Sequence, residues 1–159
     1  MSMSRSDPPA LPASAAARLD ARRIAELVDV HFPQINTGSP TMVIETVEMR
    51  AARLRMIADP RNTRHGGTIA GPAMFALADF SVYVAIIASL GEAGFEWVTS
   101  SLNINFLARP AAHDMVAQAK LIRLGRRTAV GEVELYSEGV PEMVAHATAG
   151  YARSVVAVK

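Results

Sequence analysis

The 159-residue chain contains no cysteine. That excludes disulfides, cysteine-ligated zinc and a thiol nucleophile together. It also fits a reducing compartment, so a cytoplasmic location is expected. Net charge is scarce as well: Lys and Arg number 16, Asp and Glu 15, for a formal balance of +1. Such a balance offers no broad basic surface to nucleic acid or to an anionic membrane. The four histidines, His31, His65, His113 and His146, share no metal-ligand spacing, so no metal site is expected. The N-terminus, MSMSRSDPPALPASAAARLD, lacks the apolar core of a signal peptide; Asp7, Pro8 and Pro9 interrupt it.

Half of the residues are hydrophobic and 19% are charged, which argues for a folded chain. The length suits one domain. A single long apolar run, PAMFALADFSVYVAIIASL from Pro72 to Leu90, carries one charge, Asp79. Its length would allow a membrane span. A carboxylate near the middle of a lone span is costly, however, and the rest of the chain reads as strands. A helix buried in a protein core is expected, and no membrane.

Residues 1–35 read as an N-terminal tail and a short helix. The tail is rich in Ser, Pro and Ala. Leu19, Ile24, Leu27 and Val28 place an amphipathic helix over 16–30, ended before Pro33. Residues 36–159 read as one domain. Residues 41–57 form two antiparallel strands or one long bent one, and DPRNTRHGG from Asp59 is a loop. The apolar helix follows from Gly71, with Pro72 in its first turn and Gly91 closing it. After the loop GEAGFE, Leu102, Ile104 and Phe106 alternate with Ser101, Asn103 and Asn105, a strand period. Strands are also expected over 115–124, 128–137 and 143–155.

Strands joined by short turns make an antiparallel sheet. A helix apolar on nearly every side must be covered on most of its surface. The expected class is therefore α+β: a curved antiparallel sheet wrapped around one long buried helix, the hotdog arrangement. A lone sheet of this kind leaves a strand edge open, so pairing between copies is expected.

Asp79 is the most informative residue. An ionised carboxylate in an apolar helix needs either a buried donor or a cleft that water reaches. Desolvation would favour service as a general base. Gly66, Gly67 and Gly71 feed the helix N-terminus, whose free N–H groups suit an anion or a developing oxyanion. Gly71 precedes Asp79 by two helical turns and a little more, about 12 Å of rise. His65 is a candidate acid or base, or a solvated loop residue. Thr99, Ser100 and Ser101 offer hydroxyls to a water or a carbonyl, or else only pack. Arg109, Arg126 and Arg127 sit at sheet ends, where they could meet phosphates or simply be solvated.

The order of these features resembles the hotdog-fold acyl-CoA thioesterases of the phenylacetic-acid-degradation type. The resemblance covers about residues 40–155 and rests on GGTIAGPAMFALAD, VTSSLNINFLARP, AQAKLIRLGRRTAVGEVEL and VAHATAGYA. It implies that Asp79 activates water or attacks the thioester, and that the Gly71 N–H polarises the carbonyl. It places Pro72 where the family has a second glycine and Ala70 where it has His. The literal His65-Gly66-Gly67 lies five residues earlier. Either the loop is longer and His65 folds back, or that histidine is absent. Asn62 is the nearest candidate for a water-positioning Asn. Thr99 falls where relatives supply a hydroxyl across a dimer interface.

The resemblance implies hydrolysis of an acyl-CoA substrate, with no separate cofactor, by a homo-oligomer that is a dimer or a dimer of dimers. The substrate-binding set would be Gly66, Gly67, Pro72, Arg109, Arg126 and Arg127. Two rivals remain open: a non-catalytic acyl-CoA binding module, and a hydroxyacyl-thioester dehydratase with His65 as base.

Overall fold

The apolar run folds as a 20-residue helix lying in the concave face of a six-stranded sheet. The computed structural model describes residues 15–36 and 41–154. Its elements in chain order are α1 (Ala21–His31), β1 (Met42–Glu48), β2 (Ala51–Met56), α2 (Gly71–Leu90), β3 (Trp97–Phe106), β4 (Met115–Leu124), β5 (Thr128–Ser137) and β6 (Met143–Arg153). The sheet order is β1-β2-β4-β5-β6-β3, with every neighbouring pair antiparallel. This is the expected α+β hotdog class.

Many of the inward residues of the central strands are small. Ala117, Ala119, Ala129, Gly131, Ala145, Ala147 and Ala149 are all buried beneath the helix. Small residues let a helix approach a sheet closely, and Gly131 sets the limit. A Cβ at that position would lie 2.9 Å from Cγ1 of Val82. Close packing of this kind turns an apolar surface into dispersion contacts as well as removing it from water.

α2 has two halves. From Phe80 to Ser89 every residue is buried. In the first turns only Met74, Leu77 and Ala78 are buried, while Pro72, Phe75 and Ala76 are exposed. Asp79 stands where the covered half begins. Together with the following turn, α2 is long and apolar enough to cross a membrane, yet 72% of its apolar window is buried inside the protein.

Several boundaries differ from the sequence reading. The first helix starts at Ala21 rather than near residue 16, because the Asp20 carboxylate accepts a hydrogen bond from the Arg23 N–H at 2.8 Å and caps it there. GEAGFE is a 3₁₀ helix, not an open loop. Gly94 presses it onto α2, where a Cβ would lie 2.7 Å from the Ile87 Cα. Residues 41–57 divide into two strands at Met49–Arg50. The Arg50 N–H reaches the Ser89 hydroxyl at 2.8 Å, tying that turn to α2. The last strand ends at Arg153, with Ser154 outside it, short of the expected Val155. The expected tail over about residues 1–15 lies, but for Ala15, outside the described residues.

Candidate active site

Asp79 is half-buried, and two hydroxyls converge on one of its oxygens. Thr99 Oγ1 donates to Oδ1 at 2.8 Å, and the Tyr151 hydroxyl donates to the same atom at 2.5 Å. The Tyr151 oxygen also lies 2.9 Å from the Asp79 backbone carbonyl. Among the described residues no donor reaches Oδ2. Burial first, and the Asp79 carboxylate second, push the Tyr151 hydroxyl well above its ordinary 10.0. It therefore stays protonated and serves as a donor to Asp79.

Thr99 faces Asp79 because of a β-bulge. The alternation of Leu102, Ile104 and Phe106, carried back by twos, turns Ser100 inward and Thr99 outward. An irregularity between Thr99 and Ser101 moves the ladder by one residue and sets Thr99 opposite Tyr151. Gly150 makes the bulge possible. A Cβ there would lie 2.7 Å from the Ser101 hydroxyl and 3.1 Å from that of Ser100. Thr99 thus meets Asp79 within one chain.

A cleft of about 650 Å³ opens at the N-terminal end of α2, lined in part by Arg64, His65, Gly71, Met74, Phe106 and Arg109. No side chain caps this helix end. A Cβ on Gly71 would meet the Phe106 ring at 3.4 Å, so glycine leaves room for an approaching group. Exposed Arg64 and Arg109 add positive charge beside the helix terminus.

His65 reaches this cleft because its loop is a tight hairpin. Thr63 bridges Ile69, and the Gly67 N–H returns to the Arg64 carbonyl at 3.0 Å. Gly66 has φ 97° and Gly67 φ 80°, values that disfavour side chains. The hairpin brings exposed His65 to the cleft rim.

The other candidates are placed elsewhere. Asn62 is 9% exposed and committed to the loop: its amide nitrogen donates to the Ile57 carbonyl at 2.9 Å, and its oxygen accepts from the Asp59 N–H at 3.0 Å. Its backbone carbonyl holds the Ala70 N–H at 2.9 Å. It anchors the helix entry and does not line the cleft. Gly66 and Gly67 shape the hairpin, and Pro72 is exposed in the first turn; none of the three lines the cleft. Arg126 borders a second cleft with Leu90 and Trp97, at the far end of α2, and Arg127 lies beside it on the same turn. That end is about 28 Å of helix rise from Gly71. One chain therefore does not bring Arg126 or Arg127 to the Gly71 cleft. Gly71 and Asp79, about 12 Å apart along the helix, do not face one small group either.

Tyr151 was not among the sequence candidates, although a signal was present. Ala145, Ala147 and Ala149 alternate inward along β6, and the same period turns Tyr151 inward. A buried tyrosine hydroxyl needs an acceptor, and Asp79 needs a donor.

Residues 66–144 match the profile of the thioesterase superfamily. A candidate thioesterase from a Silicibacter species is 34% identical, with 86% of this chain and 92% of that one covered and a TM-score of 0.76. A thioesterase from Haemophilus influenzae is 17% identical, with 91% and 99% covered and a TM-score of 0.73. The PaaI protein from the phenylacetic acid degradation operon of E. coli is 20% identical, with 84% and 92% covered and a TM-score of 0.69. The last two share the fold. No curated protein matches the chain. The chain belongs to the thioesterase superfamily.

Proposed function

We propose that the protein hydrolyses acyl-CoA thioesters, aryl-CoA included, to the free acid and CoA, as a cytoplasmic enzyme of the phenylacetic-acid-degradation type. The observation that carries this reading is the Asp79 carboxylate, held at Oδ1 by two hydroxyls with Oδ2 left over. Oδ2 would take a proton from water as the water oxygen bonds to the thioester carbon. The oxyanion would rest on the Gly71 N–H at the uncapped helix terminus. Collapse of the adduct breaks the C–S bond, and the CoA thiolate leaves to be protonated.

The separation of Gly71 from Asp79 supports a site shared by two copies, Gly71 from one and Asp79 from the other. β3 is an unpaired edge strand carrying exposed Val98 and Phe106, and Phe75 is exposed on the neighbouring helix. These apolar groups suit the pairing of a dimer, or of a dimer of dimers.

The test follows free thiol release from a panel of acyl- and aryl-CoA thioesters, with Asp79→Asn beside the native protein. Turnover by the native form, lowered about 10²–10⁴-fold in the variant, is expected. Equal turnover by both would overturn the role of Asp79. Binding without turnover across the panel would favour a non-catalytic acyl-CoA module, a reading that the commitment of Asn62 to its loop supports. Loss of water from a hydroxyacyl thioester would point to a dehydratase instead.

A further inference from the structure

The carboxylate of Asp79 is held from two strands, and the two holds differ in kind. Thr99 is exposed, and its hydroxyl turns about a single bond. Tyr151 is 3% exposed and rigid. Its ring stacks on Tyr83 with centroids 5.9 Å apart and planes 10° from parallel. Tyr83 in turn meets the edges of Phe32 at 5.8 Å and Phe95 at 6.0 Å. The Tyr83 hydroxyl donates to the Phe95 carbonyl at 3.2 Å. An aromatic cluster from the residue that closes α1, from α2 and from the 3₁₀ turn therefore fixes where the Tyr151 oxygen sits. That oxygen touches both the carboxylate and the backbone carbonyl of Asp79, so it registers the helix against β6 as well as the side chain.

We propose that Tyr151 is a positioning residue for thioester hydrolysis: by holding Oδ1 it sets the orientation in which Oδ2 receives the proton of the attacking water. The proposal rests on the reading of Asp79 as the base. Tyr151 itself touches no substrate in this arrangement. It lies behind the carboxylate, buried, and its proton is already engaged. A group of this kind acts on the geometry of the attack, where an error of about 1 Å costs about a hundredfold. It has little influence on the affinity for the acyl chain or for CoA.

The test compares Tyr151→Phe with the native protein in steady-state thiol release, using the best thioester of the panel. Phe keeps the stacked ring and removes one oxygen. The expected result is a kcat lowered about 10–100-fold with KM within about twofold. Tyr136→Phe serves as control. It removes the hydroxyl that Tyr136 donates to Glu134 on β5, away from Asp79, and is expected to leave both constants unchanged. An unchanged kcat in Tyr151→Phe overturns the proposal, as does a loss carried by KM. Absence of thiol release from the native protein sinks the hydrolase reading itself, and the positioning role with it.

A second measurement does not depend on that variant folding. The chain has only three tyrosines, so carbon-13 at the phenolic ring carbon gives three resonances. Asp79→Asn weakens the acceptor and should move one of them, that of Tyr151. Three unmoved resonances would remove the hydrogen bond and the proposal together.

Discussion

Thr99 and Tyr151 are register partners across β3 and β6, and their hydroxyls end on the same oxygen of Asp79. Each therefore backs up the other. Thr99→Val should lower kcat about tenfold, the effect of losing one hydrogen bond to a charged group. Thr99→Ser keeps the donor and should stay near the native rate. A double variant with Tyr151→Phe should lose more than the product of the two single losses, since neither hold remains. Strictly multiplicative losses would show that the two hydroxyls act separately.

Gly131 sets how closely the helix lies on the sheet. In Gly131→Val the new Cβ would press on Val82, 2.9 Å away, at the centre of a packed core. A destabilisation of about 1–3 kcal/mol is expected from overpacking. Thermal unfolding should read it as a fall in Tm of roughly 3–10 °C. Adding Val82→Ala should recover part of the loss. A loss left wholly unrelieved would mean that the strain goes to the backbone instead.

On the outer part of the sheet, Glu45 lies between two guanidiniums. Its carboxylate accepts from Arg53 Nε at 2.9 Å and from Arg55 Nε at 2.5 Å. Arg55 also reaches Glu138 at 2.8 Å. Burial pushes the Glu45 pKa up, but the hydrogen bonds and charges of Arg53 and Arg55 outweigh it and hold the group below its ordinary 4.5. The sign follows from linkage. A carboxylate depressed in the folded state contributes stability above its unfolded value and loses it as pH falls through the folded one. Melting curves from about pH 6 to about pH 3 should steepen in Tm below the ordinary Glu range. Glu45→Gln should flatten that fall, and parallel slopes would assign the acid sensitivity to other carboxylates.

Much of the architecture was legible because the pattern was simple. A run with one charge in 19 residues had to be covered, and strand alternation on the C-terminal side supplied the cover. Asp79 stood out because nothing else in that run is charged. Two other features depended on distance in space. Thr99 looked outward by alternation, and a single extra residue opposite Gly150 turned it inward. Asn62 matched by type alone, and its backbone and side-chain bonds within the loop claim it for structure. Arg126 and Arg127 had the chemistry of phosphate ligands, but the length of α2 separates them from Gly71 in one chain. Local pattern reads period and composition well. It reads poorly what a bulge or a long helix does to the meeting of remote groups.

The hairpin before α2 is anchored at its base and free at its tip. Asn62 and the Thr63–Ile69 bridge hold the base to the helix entry, while Arg64 and His65 stand exposed at the cleft. Sequence change is therefore cheap where it touches incoming molecules and expensive where it touches the core. The rim of the cleft is an exchangeable part. Residues at the tip can vary, and with them the lining of the cleft, while the helix entry beneath keeps its form.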